Sequence, residues 1–192
     1  GNLTRKVHQN TSWDKARFES CGQKWMDLSE GHYGVSLLND CKYGHSVKDS
    51  NMALTLIKSG IEPNPMTDYE EHFFPHAEGW RAAGTVREAY MLNQPLLAVE
   101  KGTRAGAYSF ASVDKSNVIL ETVKAAEDGN GIILRLYESE NAKTSVCLTV
   151  NRDFERAYIC NLLEETEAEA AVSGNRIQIP VKPYEIVTVR IV

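Results

Sequence analysis

Much of this chain alternates apolar and polar residues with the period of two that marks a half-buried β-strand. Thr144 to Val150 alternates cleanly and places Val146, Leu148 and Val150 on one face. Arg176 to Val181 does the same with Ile177, Ile179 and Val181, and the last run, Glu185 to Val192, sets Val187, Val189 and Ile191 opposite Thr188 and Arg190. Residues 117–123 and 131–137 are apolar almost throughout and read as strands buried on both faces. Gly34 to Leu38, Met52 to Ile57 and His72 to Phe74 are shorter strand-like runs. Asp128-Gly129-Asn130-Gly131 and Ser173-Gly174-Asn175 carry hairpin-turn chemistry. Short strands punctuated this way predict β-sandwich architecture.

One segment breaks the pattern. From Glu78 to Asn93, Trp80, Ala83, Val86, Tyr90 and Met91 recur at near-helical spacing, and Pro95 ends the run. A single amphipathic helix is expected there, although Gly84 costs about 1 kcal/mol in a helix interior. The fold class is therefore all-β, with β-sandwich domains and one short helix. Glu100 to Gly106 reads as a seam between two domains. Residues 107–192 hold a complete all-β pattern, a small sandwich. Residues 1–100, with the helix near 78–93, hold strands without an obvious full set of partners, as expected of the end of a larger sandwich. The Pro-rich stretch 61–68 and the Glu-rich stretch Glu164 to Glu169 both read as polar loops.

Composition narrows the function classes. The 192 residues are 42% hydrophobic and 24% charged, ordinary for a globular protein, and the net charge of −5 argues against nucleic acid or anionic membrane as partner. No apolar run reaches the roughly 18 to 20 residues that span a bilayer. Residues Gly1 to Lys6 lack the apolar core of a secretory leader, and a start on Gly rather than Met is expected of sequence from within a longer protein. Cys21, Cys41, Cys147 and Cys160 show no CxxC spacing, so reduced thiols and a cytoplasmic location are expected.

Few constellations carry chemistry. His72 and His76 have the i, i+4 spacing of a zinc pair, but Pro75 opposes a helix, and in a strand the two lie about 13 Å apart. No metal role is expected of them. His8, His32 and His45 sit in polar, Gly-rich surroundings and read as loop residues. Nucleophile-elbow, phosphate-loop and dinucleotide motifs are absent from the sequence. Two segments are richer than a scaffold needs: Lys24-Trp25-Met26-Asp27-Leu28-Ser29-Glu30, and Asn39-Asp40-Cys41-Lys42-Tyr43-Gly44 after an apolar strand. Trp or Tyr at such a strand end can stack on a sugar ring. From the residues alone the favoured reading is that Asn39 and Asp40 cap the turn while Trp25 and Tyr43 fill core.

The same segments carry a family resemblance. Asn10 to Glu19, Lys24 to Glu30 and Tyr33 to Gly44 look like consecutive landmarks of glycoside hydrolase family 38 α-mannosidases, closest to the bacterial and cytosolic branch. The likeness runs on through Leu54 to Ser59, Phe74-Pro75-His76, Asn93 to Leu96, Val123 to Gly129, Leu134 to Glu138, Asn161 to Glu165 and Lys182 to Thr188. Gly22, Gln23, Lys58, Ser59 and a shortened 61–71 stretch depart from the usual pattern.

The resemblance implies a large exo-acting enzyme with an N-terminal β/α barrel, a helical bundle and C-terminal β-sandwiches. It implies hydrolysis of terminal α-mannosides with retention, through an Asp nucleophile and a divalent metal, usually zinc. Both belong to the N-terminal catalytic domain, the expected partner within the same polypeptide. No catalytic residue and no metal ligand therefore map onto this chain, which is expected to bind no cofactor and to be inactive alone. What it can supply is one wall of the active site. The loop at Asn39, Asp40, Lys42 and Tyr43 is the candidate for mannoside contact, with Lys58 a further one. A self-standing carbohydrate-binding module and a surface for homo-oligomerisation are the alternatives.

Overall fold

A computed structural model describes residues 1–57, 70–100, 102 and 106–192. They fall into two units, Thr4–Glu100 and Lys101–Val192, the second also holding Gly1–Leu3.

The first unit opens on α1 (Ser12–Ala16), which has no apolar face and escapes a search by periodicity. A capping box makes it: Asp14 N donates to Thr11 Oγ1 at 3.2 Å, and Thr11 N to Asp14 Oδ2 at 2.9 Å. Next come β1 (Ser20–Cys21), β2 (Trp25–Ser29), β3 (Tyr33–Asn39), β4 (Gly44–Lys48), β5 (Asn51–Leu54) and β6 (Glu71–Ala77). They form two antiparallel three-stranded sheets, β1-β4-β5 and β2-β3-β6.

The expected single helix is two, α2 (Trp80–Ala83) and α3 (Thr85–Asn93). Gly84 takes a left-handed φ of +72°, which terminates α2 and shifts the phase of α3. The buried face of α3 is consequently Thr85, Val86, Ala89 and Leu92, while Met91 is 60% exposed. Leu38, Ala89 and Leu92 form the small core, with Trp25 and Phe74 packed on it. Among the described residues three helices thus stand where one was expected.

His45 also departs from expectation, because Gly44 begins a strand instead of a turn. A Cβ at Gly44 would come within 2.9 Å of Glu19 Oε1, and His45 is buried in β4, not set in a loop. The Met52 to Ile57 run keeps strand structure only to Leu54. The loop expected at 61–68 lies outside the described residues.

The second unit contains β7 (Ala111–Val113), β8 (Val118–Ala125), β9 (Ile132–Glu138), β10 (Thr144–Val150), β11 (Ala157–Cys160), β12 (Thr166–Glu169), β13 (Val172–Ser173), β14 (Arg176–Val181) and β15 (Ile186–Ile191). Two antiparallel sheets, β13-β14-β10-β7 and β12-β11-β15-β9-β8, enclose one apolar core. Val146, Leu148, Ile177 and Ile179 fill it from one sheet, and Leu134, Leu136, Val187 and Val189 from the other. This is the β-sandwich the alternation predicts. Gly129 (φ +76°) and Gly131 (φ +99°) turn β8 into β9, and Gly174 (φ +61°) turns β13 into β14.

The second unit overturns two expectations. β8 is not buried on both faces: it is the sheet's edge strand, bulged between Leu120 and Thr122, and Val123 is 48% exposed. Glu164 to Glu169 is not simply a solvated loop. Thr166–Glu169 is an edge strand, and Glu164 is buried at φ +69° against Lys124, whose Nζ lies 2.8 Å from its Oε1.

Candidate functional site

The connection from β3 to β4 is fixed at both ends. Asn39 N donates to Lys24 O at 2.9 Å, Asp40 N to Glu70 O at 3.4 Å, and Gly22 N to Tyr43 O at 2.9 Å. Asn93 at the end of α3 donates through Nδ2 to Asn39 O at 2.9 Å, so the helix ties down the end of β3. A loop with this much backbone bonding presents its side chains in a set arrangement.

Asn39 is wholly buried, and its Nδ2 donates to Gly22 O at 3.4 Å. Asp40 and Lys42 are half-buried. Tyr43 is exposed, its hydroxyl donating to Asp40 O at 3.3 Å, so it is not core; Trp25 is half-buried, its ring 5.0 Å from that of Trp80. Lys58 lies outside the described residues. Within this loop the Cys41 thiol, hydrogen-bonded to Asp40, holds the Asp40 carboxyl below its ordinary range, and the same carboxylate pushes the thiol up. His45 Nδ1 donates to Tyr43 O at 2.9 Å, and burial pushes the imidazole below its ordinary value.

Glu71, which the sequence gives no reason to single out, joins this group. It stands directly across from Asn39 in the β3–β6 register, so the two side chains share a face. Asn39 Oδ1, Asp40 Oδ1 and Glu71 Oε1 are buried and accept no hydrogen bond from the described residues. All three oxygens can only accept.

A second polar cluster has triad composition without triad geometry. Ser36 Oγ and His76 Nε2 both reach Asp27 Oδ1, each at 2.8 Å, and Ser36 Oγ also meets Thr85 Oγ1 at 2.9 Å. Ser36 is fully buried, and Ser and His converge on one carboxylate oxygen instead of relaying a proton in series. It is a clamp across β2, β3 and β6.

Two family models match the chain. That of the glycosyl hydrolases family 38 C-terminal domain covers residues 1–66, and that of the glycosyl hydrolases family 38 C-terminal beta sandwich domain covers residues 117–189. The chain belongs to the C-terminal region of glycoside hydrolase family 38. "Alpha-mannosidase 2C1" of Homo sapiens is 38% identical over 204 residues, covering 100% of this chain and 20% of that protein. "Alpha-mannosidase G" of Dictyostelium discoideum is 36% identical over 205 residues, covering 100% of this chain and 19% of that protein. The crystal structure of an alpha-mannosidase from Enterococcus faecalis V583 shares the fold, with a TM-score of 0.75 at 18% identity over 98% of this chain and 23% of that one. This family 38 chain thus spans about a fifth of the length of the curated relatives it matches.

Among the described residues no three His, Cys, Asp or Glu side chains are grouped to hold a metal ion. No helix among them is long and apolar enough to cross a membrane.

Proposed function

We propose that this chain is the non-catalytic C-terminal region of a retaining α-mannosidase, and that its β3–β4 loop forms one wall of the mannoside site. The carrying observation is the bonded β3–β4 loop itself, which presents half-buried Asp40 and Lys42 and exposed Tyr43 together. Asp40 stays ionised over a wide pH range through its Cys41 bond and serves as acceptor only. Tyr43 adds an exposed aromatic face beside it. The Asp nucleophile and the divalent metal are assigned to the catalytic domain of the same polypeptide, against which this region is the buttress. None of the four cysteines is in a disulfide, which accords with a reducing, cytoplasmic location.

The test is steady-state kinetics of the full-length enzyme carrying Asp40→Ala, Lys42→Ala or Tyr43→Ala. Each is expected to lower kcat/KM on an aryl α-mannoside about tenfold, worth about 1.4 kcal/mol of transition-state binding. Unchanged kcat/KM in all three would leave the loop purely structural.

A further inference from the structure

The second unit has a concave site of its own. A cleft of about 290 Å³ lies between the β8–β9 turn and the β11–β12 turn, lined by Asp128, Leu163, Glu164, Glu165 and, from β15, Arg190. Its walls are held before any ligand arrives. Arg190 Nη1 donates to Asp128 Oδ2 at 2.7 Å and Nη2 to Glu164 O at 2.7 Å. The Glu164 carboxylate in turn accepts from Lys124 Nζ and from Glu127 N, each at 2.8 Å. Both turns are thereby pinned to one strand, and Glu164 is kept in a left-handed conformation unusual for its type. A site fixed this way loses little free energy to ordering when it binds.

Much hydrogen-bonding capacity is left over. Arg190 uses two of its five N–H donors in the bonds above. One Glu165 oxygen accepts from Asn161 Nδ2 at 2.7 Å, and the Asp128 side chain is 54% exposed. Leu163 stands 80% exposed at the rim. Donors, acceptors and a small apolar surface lie side by side. Charge narrows the ligand: the carboxylates of Glu127, Asp128, Glu164 and Glu165 outnumber Lys124, Arg135 and Arg190, so an anion is repelled. A pyranoside is neutral, its vicinal hydroxyls both donate and accept, and its C–H face is apolar.

We propose that this cleft is a sugar-binding subsite for a neutral pyranoside, with Asp128 and Glu165 accepting from its hydroxyls, Arg190 donating to them, and Leu163 packing on the ring. The site belongs to the sandwich alone and does not rest on the reading of the β3–β4 loop. With no aromatic platform in the cleft, its affinity is in the millimolar range.

The test is an amide chemical-shift titration of the 192-residue chain with methyl α-mannoside. The expected result is saturable shifts at Asp128, Leu163, Glu165 and Thr166, with binding weakened about tenfold in Leu163→Ala and Glu165→Ala. Both variants leave the Glu164 and Arg190 bonds in place. A dispersed, folded spectrum with no shift at these amides up to about 100 mM sugar overturns the proposal. So does a response to calcium chloride alone that the sugar does not reproduce, which would make this a cation site. Shifts confined to residues 39–44 would also overturn it while supporting the loop.

Discussion

Asp27 and His76 meet across an intervening strand, Oδ1 to Nε2 at 2.8 Å, with both side chains almost fully buried. The contact passes over β3 because Gly34, opposite His76 in the register, has no side chain. A Cβ there would lie 2.3 Å from His76 Cε1 and 2.7 Å from Ser29 Oγ. Gly34→Ala and Asp27→Asn are each expected to destabilise the first unit by about 2 to 3 kcal/mol. Trp13, Trp25 and Trp80 are the chain's three tryptophans and all lie in that unit, so the fluorescence midpoint in a urea titration checks this directly.

Gly131 answers to a similar constraint in the second unit. Its φ is +99°, and a Cβ would fall 2.2 Å from Ile191 O, an atom of the neighbouring strand. Gly131→Ala is expected to cost about 3 kcal/mol, whereas Gly129→Ala, at φ +76° with open space around it, costs about 1 kcal/mol. Far-UV circular dichroism should show an earlier transition for the first variant, with tryptophan fluorescence unmoved.

Glu138 is buried, and its carboxylate accepts from Tyr184 N at 3.0 Å, Glu140 N at 2.8 Å, Asn141 N at 2.8 Å and Asn117 Nδ2 at 2.9 Å. Burial pushes its carboxyl up, but these donors outweigh burial and bring it below the ordinary 4.5. The folded value lies under the unfolded one, so the stabilisation is whole above pH 4.5 and is lost as pH falls through the folded value. Glu138→Gln should lower the second unit's stability at pH 7 by about 2 kcal/mol and flatten its acid limb, read by circular dichroism from neutral pH downward.

His45 sets the opposite end of the chain's acid response. Burial holds its imidazole below the ordinary 6.5, so the unfolded chain takes up the proton first. Stability of the first unit is therefore full above pH 6.5 and declines as pH drops below it toward the folded value. The fluorescence midpoint should fall across that window, and less steeply in His45→Gln.

How legible each element was in the sequence depends on how local its signal is. β10 and β14 could be read residue by residue, because each buries one face and alternates accordingly. β8 misled because its apolar residues sit on an edge, a fact of strand order and not of composition. Gly84 was visible, but whether it sits within a helix or ends one depends on tertiary contacts made by Ala89 and Leu92. The loop at Asn39 to Tyr43 stood out by its turn residues and its family likeness. The neighbours that complete its chemistry did not: Glu71 reaches Asn39, and His76 passes Gly34, only through the β3–β6 register. That register is set across a long connection that carries no local code.

β12 has a consequence for assembly. It is the outer strand of the five-stranded sheet, all four of its residues are exposed, and two of them are Glu167 and Glu169. Two copies laid edge to edge there would bring like charges to within about 5 Å of one another before any new backbone bond formed. The sandwich is thereby guarded against growing by strand addition at this edge.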